Sequence, residues 1–180
     1  MSLFGRLLIA AAIGIALGAG VSWFTREPPP APGTVGAAVG DPQPGFVHAA
    51  LNSKQNGGQI SADDFAGQAM LVNFWATWCA PCRREMPALQ AISERHSGRL
   101  VVVGLAIDEP EPVAAFIAEL GIDYPIAHGQ ADVMQSNRRW GNAAGALPYT
   151  VLVDAEGVIR WQHLGEVTAR ELEQAIAAHL

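Results

Sequence analysis

Cys79 and Cys82 are the whole thiol inventory of this 180-residue chain, and they stand three apart in Trp78-Cys79-Ala80-Pro81-Cys82. On a helix that separation puts both sulfurs on one face, close enough to bridge. The segment follows an apolar run and opens a helical pattern, the setting in which C-x-x-C reads as a redox pair. At the first turn of a helix, unpaired N–H groups and the positive end of the dipole favour a thiolate, which makes Cys79 the natural nucleophile. Cys82, one turn further in, is expected to be less exposed and to resolve a mixed disulfide by attacking Cys79. Pro81 costs little there, because its missing N–H would have no intrahelical partner. Half of a zinc site would need further ligands, and no second cysteine pair exists. An inert bridge across so short a loop would remove little chain entropy.

These residues need a scaffold, and the apolar pattern around them supplies one. Residues 69–76, AMLVNFWA, form a nearly continuous apolar run that predicts a strand buried on both faces. Residues 83–96 read as a helix with Met86, Leu89, Ala91 and Ile92 on its apolar stripe, ended by Ser97-Gly98. Residues 100–107 predict a second buried strand, 113–120 a helix, 124–127 a brief strand and 131–140 another helix. Strands at 149–153 and 158–163, joined by a turn at 154–157, precede a last helix over 168–180. Strands separated by helices imply parallel βαβ units, and the closing hairpin adds antiparallel strands. The expected fold is therefore α/β, with a mixed central sheet flanked by helices.

Half the residues are hydrophobic and 16% are charged, so the chain can bury a core. Its net charge is −6 and it has no basic stripe, which excludes a nucleic-acid partner. Two cysteines are too few for a disulfide scaffold. Residues 7–25 carry no charge; as a helix they would cover about 28 Å, close to a hydrocarbon core of about 30 Å. With Arg6 ahead of it, this run predicts an N-terminal transmembrane helix within residues 1–26 and export of the remainder. A cleaved signal peptide is the competing reading. The run continues past Ala19 through Val21, Trp23 and Phe24, which favours the uncleaved anchor. Residues 27–45, EPPPAPGTVGAAVGDPQPG, read as a tether, and the folded domain is expected over 46–180.

VNFWATWCAPCRREMP, the later ALPYTVLVDAEG and the N-terminal run together resemble the membrane-anchored TlpA/ResA-like thiol-disulfide oxidoreductases of the thioredoxin superfamily. The resemblance implies a thioredoxin-like fold with an extra helix-strand insertion at residues 112–127. It also implies that Pro148 is a cis-proline facing the cysteine pair, and that the main chain of Leu147 bonds an extended substrate. Trp78 is expected at the exposed rim, so Trp78, Pro81, Leu147 and Pro148 form the expected substrate surface. The implied partners are disulfide-containing client proteins and a membrane thiol relay that donates electrons. The implied setting is the bacterial inner membrane with the catalytic domain in the periplasm, and cytochrome c maturation is an attractive client process. No nucleotide, flavin or metal is implied. A peroxiredoxin-like peroxidase would rely on a remote resolving cysteine. A copper-delivery protein would need a wider CxxxC and a histidine before the late strand, where this chain has NAAGAL at 142–147.

Asn73 stands where thioredoxins carry a buried aspartate as proton acceptor, a role that an amide cannot fill. Either another base or water serves the resolving step, or Asn73 is a strand residue bonded to neighbouring backbone. Glu85 is read as a solvated helix residue in preference to a proton carrier. Arg83 and Arg84 are expected to be solvated and to add positive potential near Cys79. Pro87 is expected to kink its helix. Asp108 is expected to cap the following helix rather than serve the site, and the five histidines are assigned no chemistry. The charge-free run generates a topological prediction: in cells, protease reaches the C-terminal domain from outside the inner membrane while the protein fractionates with membranes. A soluble periplasmic form beginning near residue 20 would replace the anchor with a signal peptide.

Overall fold

The computed structural model describes residues 36–52 and 57–180. The expected transmembrane helix lies outside the described residues, among which no helix is long and apolar enough to cross a membrane. The strands are β1 (Val47–Ala50), β2 (Gln59–Ser61), β3 (Ala69–Trp75), β4 (Leu100–Ile107), β5 (Ile126–Gly129), β6 (Tyr149–Val153) and β7 (Ile159–Leu164). The helices are α1 (Ala80–Arg95), α2 (Pro110–Leu120), α3 (Ala131–Arg139) and α4 (Ala169–His179). Among the described residues the strands form one seven-stranded sheet in the order β2-β1-β5-β4-β3-β6-β7. β3, β4 and β5 run parallel, while β1 and β6 flank them antiparallel. The mixed thioredoxin-like sheet expected from sequence is therefore present, and α2 and β5 occupy the region where the resemblance implied a helix-strand insertion.

Every residue of β3 is buried, and its alternation divides the core. Leu71 and Trp75 face a layer built with Met86, Leu89 and Ile92 of α1, Phe116 of α2 and Leu172 of α4. Met70, Val72 and Phe74 face the opposite layer, with Val133 of α3 and Trp140. Gly104 in β4 permits the first layer to close, because a Cβ there would lie 2.5 Å from Ile126 Cδ1 and 3.1 Å from Trp75 Nε1.

Residues 36–45 belong to the packed body rather than to a free tether. Gly40 N–H donates to Ile159 O, Ile159 N–H to Asp41 O and Gln43 N–H to Gly157 O, a ladder along the start of β7. Gln162 Nε2 donates to Ala37 O and Trp140 Nε1 to Gly45 O. The approach is close at Gly141, whose φ is +111° and where a Cβ would lie 2.5 Å from Ala37 O. Main-chain hydrogen bonds to a sheet edge hold this segment, so its lack of large apolar residues did not reveal its order.

β1 is tied to α3 by a polar chain whose centre, His48 and Ser136, is buried. Arg139 Nη2 donates to Ser136 Oγ at 3.2 Å, and the two ring nitrogens of His48 lie 2.9 Å from Ser136 Oγ and Asp132 Oδ2. With Nδ1 protonated and Nε2 accepting from the hydroxyl, a neutral imidazole satisfies the whole chain. Ser136 is only 1% exposed, so this Ser-His-Asp geometry is a brace with no access for a substrate. Burial holds His48 below its ordinary 6.5, outweighing the Asp132 carboxylate that pulls it upward. The unfolded chain therefore binds more protons at acid pH. This contribution to stability is complete above about pH 6.5 and declines as pH falls toward the folded-state value. Chemical denaturation from pH 7.5 to 5 should show that decline, and His48→Phe should flatten it while losing about 1–3 kcal/mol at neutral pH.

Candidate active site

β3 delivers the chain from the buried sheet to Thr77-Trp78-Cys79, and α1 begins at once. Cys79 is the N-cap of α1, with Ala80 and Pro81 in its first turn. Cys79 and Cys82 form a disulfide, their Cα atoms 5.3 Å apart. Cys79 Sγ also accepts the N–H of Cys82 at 3.3 Å, so a helix-terminal donor is aimed at the sulfur expected to carry negative charge. Cys79 is 6% exposed whereas Cys82 is sealed at 0%, an asymmetry that separates an outer sulfur from an inner one. Trp78 stands beside them at 68% exposure.

The Leu147-Pro148 peptide is cis. Tyr149 pairs with Phe74 in the antiparallel register of β6 and β3, so Pro148 reaches the end of β3 from which the cysteine loop emerges. Pro148 O is occupied by Gly165 N–H at 2.9 Å, and Pro148 is buried while Leu147 is half-buried. The loop ahead of Cys79 is held from β4: Asp108 Oδ2 accepts from both Thr77 N, at 3.1 Å, and Thr77 Oγ1. Among the described residues Asp108 Oδ1 accepts only from the adjacent Glu109 N–H, and the N-cap of α2 is Glu109. The expectation that Asp108 is mainly a helix cap is therefore corrected, because one of its oxygens is turned to the active-site loop.

Glu85 is the larger correction. It is 1% exposed, on the buried stripe of α1 with Cys82, Met86, Leu89 and Ile92. Its Oε2 accepts the Val167 N–H at 3.0 Å, and its Oε1 accepts from Asn73 Nδ2 at 2.7 Å. Asn73 Nδ2 also donates to Thr150 Oγ1 at 3.0 Å, so Asn73 is bonded to side chains rather than to neighbouring backbone. Burial pushes the Glu85 carboxyl up to about 7, against the two donors that favour its charge. The signal was available in the spacing: Cys82 to Glu85 is an i, i+3 step and Glu85 to Leu89 an i, i+4 step, which place the acid in the apolar stripe. Arg84 is exposed and ion-paired with Glu166, and Arg83 lies over the Phe116 ring at 4.9 Å. α1 continues through Pro87 without a break.

The site thus combines an outer sulfur that touches the surface, a sealed inner sulfur, an acid near neutrality one turn deeper, and a cis-proline at the same end of the sheet. A Redoxin family model matches residues 38–178. The chain is 31% identical over 146 residues to thioredoxin-like protein YneN of Bacillus subtilis, covering 79% of this chain and 81% of that protein. It is 30% identical over 171 residues to thiol-disulfide oxidoreductase ResA of Geobacillus thermodenitrificans, covering 93% and 88%. A crystal structure of a putative thiol:disulfide interchange protein DsbE from Chlorobium tepidum superposes with a TM-score of 0.68 at 26% identity, covering 78% of this chain and 96% of that one. The chain belongs to the Redoxin family, and within it to the TlpA/ResA-like thiol-disulfide oxidoreductases of the thioredoxin superfamily. It is an enzyme of protein thiol-disulfide exchange.

A carboxyl raised from 4.5 to about 7 binds more protons folded than unfolded. Its contribution to stability is complete below about pH 4.5 and is lost as pH rises through about 7. Denaturant midpoints of the oxidised protein should carry this fall, and Glu85→Gln should remove it, so that the variant gains relative to wild type as pH rises from 5 to 8. An unchanged slope would mean that the carboxyl is not protonated in the folded core.

Proposed function

We propose that this enzyme works in the reducing direction on disulfide-bonded client proteins outside the cytoplasm, tethered by residues 7–25. The Cys79 thiolate attacks a client disulfide, joining one client sulfur to Cys79 and releasing the other as a thiolate. Cys82 then gives its proton to the Glu85 carboxylate, and the Cys82 thiolate attacks Cys79 Sγ. The client's two thiolates take up the proton held on Glu85 and one from solvent, and the client leaves as a dithiol, the two electrons having come from the cysteine pair, which ends as the Cys79-Cys82 disulfide. Trp78, Pro81, Leu147 and Pro148 form the surface on which an extended client segment docks, with the Leu147 main chain as its hydrogen-bonding edge. A membrane thiol relay returns two electrons to the pair. Cytochrome c maturation fits as the client process because apocytochrome disulfides must be reduced to thiols there, and the buried Glu85 supplies an acidic group one turn from Cys82.

The observation that carries the direction is the chemistry between the sulfurs. Strong oxidants depend on heavy stabilisation of the thiolate, which makes their disulfide easy to reduce. Here Ala80 and Pro81 add no imidazole, and the Cys82 N–H and the helix terminus are the assistance in view. The dithiol is correspondingly the better electron donor. Equilibration of the full chain with glutathione at pH 7 should give a midpoint below about −200 mV, whereas one near about −120 mV would place it with the oxidants. In the same preparation Cys79→Ser should reduce no insulin disulfide with dithiothreitol as donor, and retained turnover would move the nucleophile elsewhere.

A further inference from the structure

The chain Thr150, Asn73, Glu85 crosses the core behind the cysteine pair. Asn73 and Thr150 are directly opposed in the β3 and β6 register, and both are 0% exposed. The two hydrogens of Asn73 Nδ2 are divided between Thr150 Oγ1 and Glu85 Oε1. Asn73 Oδ1, also buried, has no hydrogen-bond partner among the described residues. An amide with one face spent on a carboxylate and the other unspent is an unusual arrangement in a packed core, where an unpaired acceptor is destabilising.

We propose that Asn73 is a positioning residue that holds Glu85 in both of its protonation states, so that the carboxyl exchanges its proton as an isolated acid. This rests on the proton-carrying reading of Glu85 given above and names the group that makes it possible. With Glu85 ionised, Nδ2 donates to Oε1 as observed. When Glu85 takes a proton, a half-turn of the amide brings the unspent Oδ1 to the new O–H, so donor and acceptor exchange roles with no backbone movement. An aspartate at position 73 could not do this. Two carboxylates within 2.7 Å of each other would share one proton across the neutral range, as close like charges must. An apolar residue would leave Val167 N–H as the remaining donor to the ionised form.

The other groups around Glu85 leave this assignment intact. Glu166, from the segment ahead of α4, opposes ionisation but is paired with Arg84. Tyr124, from the insertion, donates its hydroxyl to Met86 Sδ at 3.3 Å and is held neutral by burial. Cys82, on the same helix face, does not titrate while it is in the disulfide.

The test is to titrate Glu85 itself in the oxidised full chain, where no thiol can interfere. Glutamate labelled with 13C at the side-chain carboxyl is followed by NMR, and the Glu85 signal is the one absent from Glu85→Gln. Asn73→Asp should replace the single midpoint with a two-step titration whose upper step lies at least about one unit above wild type. Asn73→Leu, which serves if the aspartate variant does not fold, removes a charge-assisted bond to the ionised form and only a weaker neutral bond to the acid, so the single midpoint should rise by about one unit. A Glu85 midpoint within about 0.3 units of wild type in the variant that folds overturns the proposal, that margin being small beside the expected effect of a lost charged hydrogen bond. The proton-carrying reading fails separately, if Glu85→Gln leaves the pH profile of disulfide reduction unchanged.

Discussion

A carboxylate can enter an apolar core only where donors replace the water it leaves behind, and three parts of this fold meet at Glu85 to supply them. Asn73 reaches it from the centre of the sheet, Val167 from the turn into α4, and α1 carries Glu85 itself. Those three parts are also the ones that fix the cysteine pair in space. β3 ends just before the pair, α1 begins at it, and the segment after β7 closes over the helix that contains it. Movement of any of the three disturbs both the acid and the sulfurs. The burial of one charged group thus constrains the site more tightly than apolar packing would, because a hydrogen bond has direction and a hydrophobic contact does not.

The opposite layer is organised by a comparable requirement. His48 joins β1 to α3 through Ser136 and Asp132, while residues 36–45 run beside β7 and return to Trp140 through Gly45. Gln162 Nε2 and Tyr149 Oη both donate to Trp140 O, so the end of α3 is fastened to β6 and β7. The loop carrying Leu147 and Pro148 leaves from that fastened end. The position of the cis-proline therefore depends on polar contacts in the layer remote from α1, as well as on the strand that follows it.

Most of this scaffold could be read from sequence where apolar periodicity was strong. β4 and β6 have the expected bounds, and β3 differs by one residue. β1 and β2 were not expected, since VHAA and QIS are too short to show a period and owe their strand form to neighbouring edges. α1 starts three residues earlier than expected, because its first turn is set by capping at Cys79 and by Pro81 rather than by core packing. Within the site, the cysteines were legible because C-x-x-C has a chemical meaning at that spacing. For Glu85 the spacing marked a place in the stripe, but its charge argues for solvent, and its partners Asn73 and Val167 lie 12 and 82 residues away. Asn73 was marked as a departure from an aspartate, but what the departure accomplishes depends on a side chain that only the fold brings near.

On the proposed chemistry, the two thiols need opposite surroundings, and one helical turn separates them. Cys79 must hold negative charge at neutral pH yet be reachable, which suits a helix terminus at the surface, where dipole and N–H donors act without a fixed cation. Cys82 must remain a thiol until a mixed disulfide has formed, which suits complete burial, since desolvation disfavours its charged form. Burial that protects Cys82 also removes water as a proton acceptor, so a base has to be buried with it. A carboxylate with an ordinary pKa would be a poor acceptor for a thiol. One raised to about 7 by the same desolvation is better matched to it, which is why a single physical cause, exclusion of water from the inner face of α1, serves both the resolving sulfur and its base.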